Sequence, residues 1–253
     1  MAIETHGALW TFVVDVEADE VDVNPAGLLK LAALLDRHRI PASWTFTAHP
    51  GSRALRLLLG RVPGADLLLH GDPSWLPPHA DRTHFASALE QRLAVLRKLG
   101  KHPSGLRLTA HELSEHLDLL VRHKLRWIVR DGGKHRRSTD GDLQLQHGRF
   151  GIWRATASWH WPQSGSWAAP FGGWADRQRL AKTVTSSRAT VVSIDLAKMV
   201  RVPRQWPSLE ELLRKVVRWR ARGKLRVESL AGVTLVLRPP RRTPMRSILK
   251  PAA

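Results

Sequence analysis

An α/β fold built on a parallel sheet is what this sequence of 253 residues predicts, and three observations carry the prediction. An apolar run, Trp10-Thr-Phe-Val-Val14, stops abruptly at carboxylates on alternate positions, Asp15, Glu17 and Asp19. Strand-like segments then alternate with amphipathic helical ones, the order that produces parallel strands joined by crossover helices. Finally, Asp15, Thr47, His70, Arg107 and Asp131 all fall at or just past predicted strand ends, where parallel α/β folds gather their sites.

Taken in order, Leu9 to Asp15 reads as a buried strand that ends near Asp15. Asn24 and Pro25 then supply an N-cap and a first helical turn, and Leu28, Leu31, Leu34 and Leu35 recur at helical spacing. Pro41 stops that helix near Arg39. Ser43 to Thr47 alternates as a second strand, Ser52 to Leu59 is a short helix, and Ala65 to Leu69 is a third strand ending at His70-Gly71. Three prolines exclude regular structure from Asp72 to His79. A long helix follows from Ala80 to Leu99, with Gly100 as its stop. Leu106 to Leu108 is a strand, Ser114 to Leu120 a helix, and Trp127 to Val129 another strand. Residues 138–174, rich in Gly, Trp, Ser and Gln, read as a long decorated loop, a hairpin plus a lid. Thr190 to Leu196 is a further strand, and Ser208 to Arg222 is an amphipathic helix with Ser208 as its cap. Leu225 to Val227 and Val233 to Leu237 read as short extended segments, and the basic PPRRTP end reads as a flexible tail. The expected organisation is one domain over residues 1–237, with 138–174 as an insertion, followed by a tail over 238–253.

Composition narrows the function classes. Hydrophobic content of 43% and charged content of 25% are those of a folded globular chain. The absence of Cys excludes disulfides and thiolate metal sites, leaving His, Asp and Glu as strong ligands. Charge breaks every apolar stretch well short of the roughly 20 residues of a membrane span, and the amino terminus lacks a signal-peptide pattern. A cytoplasmic protein is the expectation. The net charge of +18 is uneven: residues 1–100 carry 10 basic and 11 acidic groups, 101–200 carry 16 and 8, and 201–253 carry 14 and 3. That asymmetry points to an anionic polymer as partner of the carboxy-terminal region, or to a solvated basic surface.

The acidic end of the first strand, the phrase Ile40-Pro-Ala-Ser-Trp-Thr-Phe46, the His70-Gly71 turn, the Gly105-Leu-Arg107 strand and the closing Leu209 to Leu230 section together resemble the polysaccharide deacetylase (NodB-homology) family over residues 8–231. The resemblance implies an irregular (β/α) barrel of about seven parallel strands. It also implies hydrolysis of a C–N bond, such as an N-acetyl group on a carbohydrate-type substrate, with a bound metal, zinc in the usual case. By that resemblance Asp15 is the general base, Arg107 the arginine that orients it, and Asp195 stands where the family has its acid histidine. Glu17 and His70 are the metal-ligand candidates, because Val16 and Ser74 occupy the positions of the family's second aspartate and second histidine. Asp131 matches an aspartate of a later strand and is a substrate-binding candidate. Trp75, in a turn similar to that of cofactor-independent allantoinase-like relatives, joins Trp159 and Trp161 as a substrate-binding candidate. Such tryptophans either stack on sugar rings or cover the barrel. The alternative to a hydrolase is a catalytically inactive deacetylase-fold module that binds a glycan or other anionic polymer.

Overall fold

The computed structural model describes residues 8–16, 25–47, 52–71, 75, 81–108, 113, 115–131, 145–161 and 189–237. Strand β1, Ala8–Val16, is the hub. Along one edge it pairs in parallel with β9, Ala189–Asp195. The other edge is shared in succession by β10, Leu225–Val227, against Ala8 to Trp10, and by β2, Ala42–Phe46, against Phe12 to Val16. From β2 the sheet continues through β3, Asp66–Gly71, β4, Gly105–Leu108, and β5, Trp127–Asp131, every pairing parallel.

The segment read as an insertion or lid corrects the sequence expectation. Residues 145–161 hold β6, Leu145–His147, a 3-10 turn, β7, Trp153–Ala157, and β8, Trp159–Trp161. β7 pairs in parallel with β5, whereas β8 pairs in parallel with β9 at the other end of the sheet. Ser158 alone separates the two strands, and its amide donates to the Val191 carbonyl at 3.0 Å. One continuous run of chain therefore bridges the two ends of the sheet and curls it into a barrel. Counted once, that run makes seven parallel staves, with β6 as an antiparallel strand outside β7. The segment looks like a loop in sequence because its strands are three to five residues long and interrupted by Gly148 and Gly151. The remainder of 138–174 lies outside the described residues.

Side-chain alternation divides the strands between two apolar clusters. Trp10, Phe12, Val14 and Val16 of β1 pack outward. The outer cluster they belong to also takes in residues of the helices α1, Pro25–Arg37, α2, Arg53–Arg61, α3, Arg82–Lys98, α4, Leu117–Arg122, α5, Leu196–Arg201, and α6, Gln205–Ala221. Leu9 and Val13 face the barrel interior with Leu68, Trp127, Val129, Trp153, Ala155 and Val191. Trp127 and Trp153 stack at 5.7 Å between centroids.

The stretch expected to be extended at 233–237 is helical: α7 spans Leu230–Val236. Its β-branched residues favour strand locally, but Leu230, Val233 and Leu237 at helical spacing bury together in the interior cluster, and that packing decides. The first turn of α7 is held by three separate acceptors: Ser43 Oγ for Leu230 N at 2.9 Å, Asp66 Oδ2 for Ala231 N at 3.0 Å, and Ser229 Oγ for Gly232 N at 3.2 Å. Because Ser43 and Asp66 open β2 and β3, α7 caps the amino end of the barrel. That leaves the carboxyl end as the barrel's mouth.

Gly105 is required where β4 passes β5, since a Cβ there would lie 2.2 Å from the Trp127 carbonyl oxygen. Gly105→Ala is expected to destabilise the protein by roughly 2–3 kcal/mol through overpacking against backbone, read from the urea midpoint; an unchanged midpoint would refute the close approach.

Candidate active site at the carboxyl end of the barrel

Strand parity puts Asp15 on the same side as Leu9 and Val13, at the last inward position of β1 before the mouth. Arg107 of β4 lies in register with His70 of β3 and is buried, 1% exposed, so its charge must find partners inside the barrel. It finds two carboxylates. Its Nε donates to Asp15 Oδ1 and its Nη2 to Asp15 Oδ2, both at 3.0 Å, a bidentate fork. Nη2 also donates to Asp131 Oδ1 and, at 3.1 Å, to Ser193 Oγ. Ser193 in turn donates its hydroxyl to Asp15 Oδ2 at 2.6 Å. Burial works against the guanidinium charge, but the adjacent Asp15 and Asp131 outweigh it and hold Arg107 above its ordinary pKa.

The same bonds define what Asp15 can still do. A carboxylate offers about four lone-pair sites. Among the described residues Oδ2 takes two donors and Oδ1 one, which leaves one acceptor site on Oδ1, and the side chain is 23% exposed. A single further proton donor, such as a water molecule, can therefore be accepted there.

Parity corrects the assignment of Trp159 and Trp161. In a strand the sequence Trp-His-Trp sends the two tryptophans one way and the histidine the other. Trp159 and Trp161 turn outward into the helix-facing cluster and are buried, which leaves no open face for a sugar ring. His160, between them, points to the mouth, with its Nδ1 3.7 Å from Asp131 Oδ1. Desolvation is the largest influence on its ring and lowers the pKa; Asp131 and Asp15 push it up, while Arg107 and Lys198 push it down. Trp75 is likewise buried: it stacks on Phe85 at 6.3 Å, lies under the Arg92 guanidinium at 4.3 Å, and donates Nε1 to the His70 carbonyl at 3.1 Å. Trp75 thus braces the turn after β3 instead of offering a binding surface.

Asp195 sits in register with Asp15, yet its carboxylate is occupied as the N-cap of α5. It accepts from Lys198 N at 2.9 Å and faces Lys198 Nζ at 2.5 Å. The His70 ring meets Thr47, with Nδ1 to Oγ1 at 3.5 Å, and no carboxylate among the described residues. Glu17, Asp72, Ser74 and His79 lie outside the described residues. Among the described residues no three His, Asp or Glu side chains gather as a metal site, and Arg107 and Ser193 already claim three of the four lone pairs on Asp15. The described donors do not fit a tightly held metal ion.

The structure joins Arg107 with Asp15, the pair that the resemblance implies, adds Asp131 to them, and leaves His70 and Asp195 in other bonds. It adds two residues that the sequence reading passed over. His160 was legible from the Trp-His-Trp alternation once 159–161 is taken as a strand. Ser193 was legible as a hydroxyl in an otherwise apolar stretch, two residues before Asp195, hence on the same side.

No family model and no curated protein sequence matches the chain. Solved structures do. A probable polysaccharide deacetylase from Pseudomonas aeruginosa PAO1 superimposes with a TM-score of 0.60 at 12% identity, over 90% of each chain. A CE4 esterase from Streptococcus mutans gives 0.53 at 15% identity, over 90% of this chain and 87% of that one. The chain has the polysaccharide deacetylase fold. A GH57-type branching enzyme from Pyrococcus horikoshii shares the fold too, with a TM-score of 0.60 at 9% identity over 91% of this chain and 70% of that one. The deacetylase fold alone consequently leaves the reaction open, and the residues at the mouth must carry the argument.

Two measurements probe this network. Arg107→Lys keeps the charge but loses the fork, and is expected to cost about 1–3 kcal/mol in urea unfolding; no loss would mean that the fork is not formed. Burial holds His38, His123 and His160 below the ordinary histidine pKa, so each binds fewer protons folded than unfolded. Their contribution is present above the unfolded value of about 6.5 and is lost as pH falls through the window below it. His160→Gln should make stability fall less steeply between pH 7 and pH 5.5 than in the parent chain; an equal or steeper fall would contradict the burial of His160.

Proposed function

We propose that the protein is a hydrolase of C–N bonds of the N-acetyl type in a carbohydrate substrate. The single observation that carries this reading is the carboxylate of Asp15, clamped by Arg107 with one lone pair left toward the mouth, across from a histidine that faces Asp131. Amide hydrolysis needs a base for the attacking water and an acid for the departing nitrogen. Asp15 Oδ1 accepts the proton of the water. Arg107 fixes the direction of that lone pair and holds Asp131 in the same plane of charge. His160, when protonated, is stabilised by Asp131 and Asp15 and delivers its proton to the leaving amine. His70, at the carboxyl end of β3, is a hydrogen-bond donor for the acyl oxygen or for a sugar hydroxyl. Carbohydrate as the substrate class rests on the proteins named above as a polysaccharide deacetylase and a CE4 esterase.

A metal would supply a polarised acyl oxygen and an acidified water. Within this chain His70 and Glu17 are the side chains to examine for it. A second reading, a glycan-binding module without turnover, is favoured by one observation: Asp195 and His70, the remaining family positions, are tied to Lys198 and Thr47.

The test is acetate release from N-acetylated chitooligosaccharides and peptidoglycan fragments, with and without added zinc. Asp15→Asn and His160→Gln are each expected to lower the rate by about 10²–10⁴. The rate of the parent should fall as pH rises through the lowered His160 pKa, and that limb should vanish in His160→Gln. Glycan binding without acetate release under either condition would replace the hydrolase by the binding module.

A further inference from the structure

Among the described residues outside the mouth, a concentration of positive charge lies on the outer wall where α1 and α6 run side by side. Three contacts align the two helices: Lys30 Nζ sits 4.6 Å over the Trp206 ring, Arg37 pairs with Glu210 at 3.6 Å, and Arg220 Nη1 donates to the Arg39 carbonyl at 2.6 Å. Residues 30–39 and 206–224 carry nine Lys and Arg against three Asp and Glu. Glu210 is shared by Arg37 and Arg214, and Glu211 is taken by Lys215. Arg39, Arg218, Arg220, Arg222 and Lys224 have no carboxylate partner among the described residues. Arg37 and Arg214 remain 68% and 62% exposed despite their pairing.

Arg214, Arg218 and Arg222 follow one another at four-residue intervals, so they form a stripe along α6 with steps of about 6 Å. Helices α1 and α6 both lead into the amino ends of strands, β2 and β10. The densest part of the ridge therefore lies away from the mouth, and a partner held there leaves the candidate site open.

The composition of the ridge selects the partner. Guanidinium groups outnumber ammonium groups, which suits carboxylate or phosphate oxyanions bound through two hydrogen bonds. Neither tryptophan of α6 is available for stacking: Trp206 is buried, and Trp219 is partly buried with its ring 6.1 Å from Trp10. Single-stranded nucleic acid needs stacking platforms, and neutral glycans need aromatic faces, so neither fits. A double helix presents one negative charge per about 1.7 Å of axis and asks only for cations in a row. We propose that the α1–α6 ridge binds the phosphate backbone of duplex nucleic acid without sequence preference.

The experiment is fluorescence anisotropy of a labelled 20-base-pair DNA duplex with the full chain, titrated between 50 and 300 mM NaCl. Contact with about five phosphates predicts a slope of log affinity against log salt near −4.5. Arg214→Gln, Arg218→Gln and Arg222→Gln combined should reduce the slope by about 3 and weaken binding at 100 mM NaCl by roughly a hundredfold or more. The matching Arg→Lys triple, which keeps the charges, should retain most of the slope and guards against a loss caused by misfolding. Neutralising Arg238, Arg241, Arg242, Arg246 and Lys250 in the tail should leave most of the affinity in place. The proposal is overturned if the tail variant loses binding while the Gln triple keeps it. It is equally overturned by an absence of binding at 50 mM NaCl, or if polygalacturonate, a carboxylated glycan, competes as well per charge as unlabelled duplex.

Discussion

A guanidinium with 1% of its surface exposed is the constraint on which the mouth of this barrel depends. Desolvating an ion costs several kcal/mol unless its hydrogen bonds and counter-charge are supplied in place. Arg107 receives them at Nε and Nη2 from three other strands, Asp15 of β1, Asp131 of β5 and Ser193 of β9, while its Nη1 is buried without a hydrogen-bond partner among the described residues. Those strands are fixed by their own ladders, so the carboxylates are held where the charge requires them. Burial of one arginine thereby becomes rigidity in an acid pair, which a reaction at Asp15 needs from its scaffold.

The second determinant is closure. A sheet in the order β7-β5-β4-β3-β2-β1-β9-β8 could stay open with two exposed edges. Here the chain leaves β7 and enters β8 after Ser158, hydrogen-bonding first to one end of the sheet and then to the other. Closure also settles orientation. Pairing of His160 with Ser193 sets His160 inward, next to Asp131 at the end of β5, and drives the flanking tryptophans out among the helices. The bulky indoles then serve as packing, and the smaller, titratable imidazole faces the mouth. At the amino end, α7 fills the barrel with Leu230, Val233 and Leu237, so the interior opens in one direction.

Charge follows the same division of labour. The mouth combines Asp15, Asp131 and Asp195 with the cations Arg107 and Lys198, a nearly balanced set suited to proton transfer. Part of the surplus of positive charge sits on the outer wall, where residues 30–39 and 206–224 carry nine Lys and Arg against three Asp and Glu. Net charge describes neither place. A chain of +18 holds an acid-rich pocket because a barrel separates its interior from its helical surface.

What the sequence alone determined is the set of features written in local periods: the apolar β1 run ending at Asp15, the leucine spacing of α1 and α3, the proline stop before β2, and the alternation that calls for parallel strands. Asp15, Arg107 and Asp131 were legible because each stands at a strand end, and they meet as that placement requires. Three things were decided only by tertiary structure. Trp159 and Trp161, which the sequence leaves as either sugar contacts or barrel cover, are core, because facing depends on register with β9, a partner 33 residues away. Val233 to Val236 became helix, because burial inside the barrel with Leu230 outweighed β-branched preference. Ser193 and His160 entered the network through pairings between distant strands. In each case the energy that decides lies in contacts remote along the chain, and a local pattern shows only which residues share a side.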